Sequence, residues 1–479
     1  MALRQSVQRG RSFGEEPWSV KMVKNLGLEG VLRLLNGFWH SLNIFNGKEM
    51  LQMAHKKKNL TLVWAFLLLF SWPMPALSKE VPKEAGYAPS DPDLTIDFHV
   101  VGEDPPVGRS LVCRQMLVGP WKNQPEQYPG YNGFVGWSGT TRLKSGRWLV
   151  TFNSGFWHAS FPWTDATRKD PECRKWVDRY HDIGCPDIPA PRGGRVHVMQ
   201  SDDQGKTWSQ PQTLVDTEND DRHATILELD DGTLLCTFFD YRIPPEVKKR
   251  YMRSTDGGKT WSDPLELLPR KREGFGSGSA IQLSDGSILW LADGVSVYRS
   301  TDQGRTFSLA SSREYSPKGS EPTIAELPDG RLIVITRSAG EISWSSDKGS
   351  TWTKPVSANL SNKDPHLLML PNGVLACFHM SRKAKGLRVI LSLDFGKSWH
   401  GPADHVGYAV DPDCYGYSHP MLLPDGTVFI TYQHSIGYTA EEARTEAIWG
   451  MRLRVKDNAQ GIELLGNLES EENLGDQHE

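Results

Sequence analysis

Apolar and polar residues alternate along most of the chain, and short turns break the alternation at regular intervals. Six times an apolar run meets a polar turn closed by glycine and returns as a second apolar run. The copies are "TTRLKSGRWLVTF", "TILELDDGTLLCTF", "AIQLSDGSILWLA", "TIAELPDGRLIVIT", "LLMLPNGVLACFH" and "MLLPDGTVFITYQ". Their turn glycines are Gly146, Gly232, Gly286, Gly330, Gly373 and Gly426. Apolar runs on both sides of such a turn predict a β-hairpin, because glycine takes positive φ without steric cost. A second motif falls between the hairpins five times: "SDDQGKTW" from Ser201, "STDGGKTW" from Ser254, "STDQGRTF" from Ser300, "SSDKGSTW" from Ser345 and "SLDFGKSW" from Ser392. In each, the Asp is placed to accept backbone N–H bonds, the Gly to turn left-handed and the aromatic residue to pack between units.

Each unit therefore reads as hairpin, strand, Asp turn, strand. Four strands in about 45–55 residues is the period of a β-propeller blade. The six hairpins predict an all-β, six-bladed β-propeller over residues 110–455. The last unit has no Asp turn after "AIWGMRLRV". The N-terminal segment "LTIDFHVVG", within residues 79–109, is the candidate outer strand that closes the ring, and residues 456–479 read as a C-terminal tail. The first unit carries about forty extra residues between Ser154 and Gly194, the size of a lid or binding loop. Trp157 and Trp163 in this insertion form either a ligand platform or the loop's own core.

Composition narrows the function classes. The 479 residues carry a net charge of −4, with 23% charged residues, which argues against a nucleic-acid partner. Glycine (45), proline (31) and tryptophan (17) suit many short strands joined by tight turns. The basic "HKKKN", the eleven-residue apolar run Leu60–Phe70 and "PMPALS" make residues 53–78 a signal peptide cleaved after Ser78. Eleven apolar residues are too short for a bilayer span, so no stable membrane anchor is expected and the product is secreted or periplasmic. Residues 1–52 show no core pattern and read as a leader upstream of a true start at Met50 or Met53. Of the six cysteines, Cys173 and Cys185 share one loop and are the candidate disulfide. No spacing suggests a metal site, and no cofactor is expected.

Strand directions locate the functional end. The hairpin turn and the Asp turn of a blade fall at one end of its strands, so side chains free to line a cavity lie at the other. Nine residues before each turn glycine lies the start of an innermost strand: Trp137, His223, Ser277, Glu321, Asp364 and Tyr417. These should ring the central pocket. Arg337 ends the second strand of blade four, Arg382 that of blade five, and Arg222 precedes His223. Structural alternatives exist for each: an inner-strand aromatic for Tyr417, an ion pair for Glu321 and Arg337, a solvated loop residue for Arg382, and packing histidines for His223, His366 and His419.

On these residues the chain resembles the sialidase (neuraminidase) superfamily of BNR-repeat proteins. Its Asp turns are similar to Asp boxes. "EPTIAELPDGRLIVITR" is similar to the segment in which a Glu opens one strand and an Arg closes its partner, and "YGYSHPMLLPDG" to the one carrying a nucleophilic tyrosine. The resemblance implies an exo-acting glycoside hydrolase that cleaves terminal sialic acid, or a related acidic sugar, from glycans by a retaining mechanism. A carboxylate on the anomeric carbon would repel a carboxylate nucleophile, whereas a neutral tyrosine is not repelled. Tyr417 would attack and Glu321 would take its proton. Arg337 and Arg382 would grip the substrate carboxylate, since guanidinium forks match carboxylates. His223, Asp364 and Trp137 would complete the sugar site.

The family's blade-one Arg-Ile-Pro signature is replaced by "FVGWSGTT", leaving Arg222 or Arg242 as candidate substitutes for the first arginine. The general acid should come from the insertion, with Asp165 nearest and Asp170 and Asp187 as alternatives. Two other readings remain: a propeller glycosidase or lyase for another sugar, and a non-catalytic glycan-binding propeller.

Overall fold

Six glycine turns take the conformation their sequence demands. Gly146, Gly232, Gly286, Gly330, Gly373 and Gly426 all have φ between 80° and 93°. Each donates its N–H to the carbonyl three residues back, as Gly330 does to Leu327 at 2.9 Å. The strands they join build a six-bladed β-propeller in this computed structural model. The structure describes residues 87–88 and 94–466, apart from 121, 124–133, 156–157, 159, 172, 183–191, 243–245, 268–278, 293–295, 312–318 and 436–444. The expectations placed on the leader, the signal segment, Trp157, Cys185, Asp187 and Ser277 lie outside the described residues.

Blades one to four are four-stranded antiparallel sheets. Their innermost strands start at Phe134, Asp220, Ile281 and Thr323. Blade five is built on Asn362–Met369, Leu375–Ser381, Leu387–Ser392 and Ser398–Gly401. Blade six is built on Ser418–Leu422, Val428–Gln433 and Ile448–Val455.

Ring closure differs from the sequence expectation. Asp97–Val100, from "LTIDFHVVG", pairs in parallel with Ser398–Gly401 at the edge of blade five. The outer edge of blade six is shared by Gln115–Val118 and Ile462–Leu465, both antiparallel to Ile448–Val455. The segment read as a tail thus supplies a strand. Alternation marks a segment as a strand but not which sheet edge it meets. The short helix Arg109–Cys113 precedes Gln115–Val118 and docks on the C-terminal strand through Arg109, whose Nη2 donates to the Leu464 carbonyl at 3.2 Å. Arg114 fastens the closure, with Nη1 3.0 Å from Asp411 Oδ2, which also accepts from the Tyr432 hydroxyl at 2.9 Å.

An apolar core lies between each pair of neighbouring blades. The aromatic residue of every Asp turn packs towards the preceding blade: Trp208 against Phe429, Trp352 among Leu289 and Leu332, Trp399 beside Ile333 and Trp344. Trp261 and Phe307 do the same in blades two and three. Gly396 makes room for this contact, since a Cβ there would lie 2.4 Å from Ile333 Cδ1. The five turns share one hydrogen-bond pattern. The serine hydroxyl donates to the Asp at 2.7–2.9 Å and accepts the Gly N–H at 2.8–2.9 Å. The Asp accepts the N–H four residues on at 2.8–2.9 Å. Arg147 of a hairpin turn pairs with Asp202 of an Asp turn at 2.7 Å, so both turns occupy one end of the blade. The other end is left for the site.

Candidate active site

The inner strands do not run straight into the pocket. Trp137, His223 and Asp364 sit in β-bulges where the register with the second strand shifts. Their φ angles are 49°, 53° and 46°, and Glu321, just before its strand, has φ 46°. These left-handed positions break the period-two alternation and aim four side chains at the axis. Non-glycine residues there cost about 1–2 kcal/mol each, a strain that collects at functional sites.

Neighbouring blades hold the bulges open. The Trp137 N–H donates to Gln433 Oε1 at 2.7 Å and the His223 N–H to Asn153 Oδ1 at 3.0 Å. The Asp364 N–H donates to Glu321 Oε2 at 2.9 Å, and the Ser418 N–H to Asp364 Oδ2 at 2.8 Å. In each case the acceptor belongs to the preceding blade. Gln433 reaches its target because Gly416 has no side chain; a Cβ there would lie 1.7 Å from Gln433 Cγ. Gln433 and Asn153 escaped the sequence reading because they lie at the ends of second strands, outside the counted ring positions.

Three of the expected residues meet directly. The Tyr417 hydroxyl donates to Glu321 Oε1 at 2.7 Å. Arg337 Nη1 donates to the same Glu321 oxygen and lies 3.2 Å from the Tyr417 hydroxyl. Burial pushes the Tyr417 phenol well above its ordinary value, and the Glu321 carboxylate adds to this. The tyrosine is therefore neutral at rest. Burial also raises Glu321, against the opposing pull of Arg337 and the Tyr417 hydrogen bond. Burial alone would lower Arg337, but Glu321 and Tyr417 outweigh it and raise it. The result is a polarised phenol with an acceptor for its proton and a fixed positive charge beside it.

Around this trio the wall is aromatic and imidazole. The Tyr417 ring meets His223 edge-on at 5.0 Å and Trp137 at 6.3 Å, and Trp137 lies 5.3 Å from His223. Burial, then Arg222 and Lys249, hold His223 well below the usual histidine range, so it is neutral at physiological pH. Deeper in the channel His419 spans the axis. Its Nδ1 accepts the Thr140 N–H at 3.2 Å, and its Nε2 lies 3.2 Å from Ser279 Oγ. His366 packs 4.9 Å from His419, with Nε2 3.2 Å from Asp364 Oδ1.

The other expected residues lie apart from the trio. Arg222 is buried behind the wall. Its Nε donates to Asp220 Oδ2 at 2.8 Å, and its guanidinium lies 4.8 Å from the Trp137 ring and 5.0 Å from the Tyr241 ring. It supports Trp137 from beneath. Arg382 is exposed on the rim, its N–H donating to the Ser361 carbonyl at 2.7 Å, much as the Arg337 N–H donates to Ser320. Asp165 opens the short helix Asp165–Lys169, with a 76% exposed side chain paired to Arg168. Trp163 is buried against Phe161 and His181 and belongs to the insertion's own core.

Comparison with known proteins agrees with this architecture. Residues 192–430 match the family model described as a BNR repeat-like domain. A sialidase of Bacteroides fragilis (strain YCH46) is 22% identical over 227 residues, covering 40% of each chain. A sialidase of Paraclostridium sordellii is 27% identical over 204 residues, covering 33% of this chain and 49% of that one. The chain thus spans less than half the length of these curated relatives. A crystal structure of a protein of unknown function from Dyadobacter fermentans DSM 18053 shares the fold at a TM-score of 0.54 and 17% identity, over 74% of this chain and 99% of that one. Residues 192–430 thus form a BNR repeat-like domain, and the chain is similar to sialidases.

Proposed function

We propose that the chain is an exported, exo-acting glycoside hydrolase of the sialidase type that releases terminal sialic acid or a related acidic sugar from glycans. One observation carries the reading: a neutral, half-buried tyrosine donates to a buried glutamate at 2.7 Å while an arginine touches both. Tyr417 Oη attacks the anomeric carbon as Glu321 takes the phenolic proton, and the bond to the aglycone oxygen breaks. Arg337 stabilises the developing phenolate and, with Arg382 on the rim, faces the substrate carboxylate. Water then releases the sugar with net retention, and Glu321 returns its proton to Tyr417. The five repeated turns are read as Asp boxes and residues 53–78 as the signal peptide, so the amino terminus of the exported product should be Lys79.

A second reading, a glycosidase for a different sugar, is favoured by the wall opposite Arg337. Trp137 fills the blade-one position and Arg222 is locked to Asp220 beneath it, so no third guanidinium is offered from that side among the described residues. Release of free sialic acid from an α-linked sialoside, by the wild type and by Tyr417→Phe, tests the choice. Turnover that is lost in the variant supports the sialidase reading. A folded wild type that releases no sialic acid, yet cleaves another glycoside through Tyr417, supports the second.

A further inference from the structure

We propose that His158 is the general acid that protonates the departing aglycone and then, as general base, activates the water. This rests on the tyrosine-nucleophile reading above. The acid must sit over the rim on the side where the aglycone leaves. The insertion leaves blade one between its second and third strands, at the end where Trp137 sits, and its stem is pinned on both sides of His158. Before it, Gly155 is packed so closely that a Cβ would lie 2.2 Å from Ser160 Oγ. After it, the Ser160 N–H donates to Asp220 Oδ2 at 2.8 Å, the same carboxylate that holds Arg222 under Trp137. Between these pins the His158 ring lies 5.2 Å from Trp137 and 6.5 Å from Phe134. Trp137 in turn faces Tyr417 at 6.3 Å.

The carboxylates of the insertion bond within the insertion, away from Trp137. Asp165 points to solvent with Arg168, Asp170 Oδ1 accepts the Cys173 N–H at 3.2 Å, and Asp178 pairs with Arg174 at 3.2 Å. Glu321 serves Tyr417, and Asp364 is held by Ser418 and His366. His366 and His419 lie further along the inner strands, beyond Asp364 and Tyr417, where they pack on each other. His158 is the titratable group of the described insertion whose ring abuts the pocket wall.

The step balances simply. Tyr417 Oη forms its bond to the anomeric carbon, the bond to the aglycone oxygen breaks, and that oxygen takes the proton of the His158 imidazolium. Neutral His158 then removes a proton from water as it displaces Tyr417.

The test compares two substrates with one glycone: α-2,3-sialyllactose, whose leaving group needs a proton, and 4-methylumbelliferyl α-sialoside, whose phenolate leaves without one. His158→Ala should lower kcat/KM for sialyllactose by about 100-fold or more and for the umbelliferyl substrate by less than about tenfold. Azide, which needs no base, should restore turnover of the umbelliferyl substrate and yield the glycosyl azide. His158→Gln, which keeps the bulk and polarity of the ring, should behave like His158→Ala if the protein melts as the wild type does. Equal losses on both substrates, or no loss on either, overturn the proposal. A leaving-group-dependent loss in Asp165→Asn but not at His158 also overturns it. Tyr417→Phe separates the two levels: full activity there sinks the nucleophile, whereas its loss with no leaving-group effect at His158 sinks only the acid. A wild type that cleaves neither substrate overturns the sialidase reading and this proposal with it.

Discussion

At the turn end of the propeller, Asp203, Asp256, Asp302, Asp347 and Asp394 occupy five superimposable settings, each with the same serine donor and the same amide four residues on. At the pocket end, equivalent positions hold Trp137, His223, Glu321, Asp364 and Tyr417, no two alike. The first end repeats because each blade solves the same problem: closing a turn and inserting an aromatic residue against its neighbour. The second end does not repeat: there Tyr417 of blade six meets Glu321 and Arg337 of blade four. Repetition marks scaffold here, and its absence at matched positions marks the proposed site.

Substitutions at the two ends should therefore separate activity from stability. The largest effect is expected from Tyr417→Phe, which should lower kcat by about 10³-fold or more while leaving the melting temperature near that of the wild type. Retained turnover would break the comparison at its centre. Glu321→Gln should lower kcat by about 10²–10³-fold, measured by initial rates, because the amide still accepts the Asp364 N–H but no longer takes a proton. Arg382→Gln should act mainly on KM, raising it about tenfold for a carboxylate-bearing substrate and leaving a neutral glycoside unaffected.

At the turn end, Asp347→Ala should destabilise the fold by about 1 kcal/mol in urea titration, with the rate per folded molecule unchanged. The smallest effect per group is electrostatic. At Asp203, Asp302, Asp347 and Asp394 burial would raise the carboxyl, but hydrogen bonds from the turn outweigh it and hold each below the usual range. A depressed folded value contributes stability that is complete above the unfolded pKa of about 4 and is lost as pH falls towards the folded one. Melting temperature should thus be flat on acidification to about pH 4–5 and fall below it. The Asp347→Ala variant should show a shallower decline.

Much of this architecture was legible from periodicity. The six hairpin glycines, the five Asp turns and the inward aromatic residues follow from local rules that act within eight to fourteen residues of chain. Counting from the glycines also placed Tyr417, Glu321 and Arg337 at one end, where they meet. Counting failed where distant segments choose between equivalent partners. "LTIDFHVVG" joined blade five rather than blade six, because any free sheet edge satisfies an alternating strand. Arg222 neighbours a pocket residue in sequence, yet lies behind Trp137 because Asp220 takes its guanidinium. His158 carried no signal in "SGFWHAS" beyond being one histidine in a loop; its place against Trp137 depends on the stem closing through Ser160 and Asp220.

The sequence by itself determined the number of blades, the turns that close them and the end of the propeller where Glu321, Arg337 and Tyr417 meet, since these rest on contacts between residues near in the chain. Tertiary structure alone decided which strand seals the ring, which arginine meets Glu321 and Tyr417 and which supports a tryptophan, and which imidazole packs on Trp137. Apart from the Arg222–Asp220 pair, which lies on one strand, those outcomes depend on contacts between segments that the ring brings together from far apart in the chain.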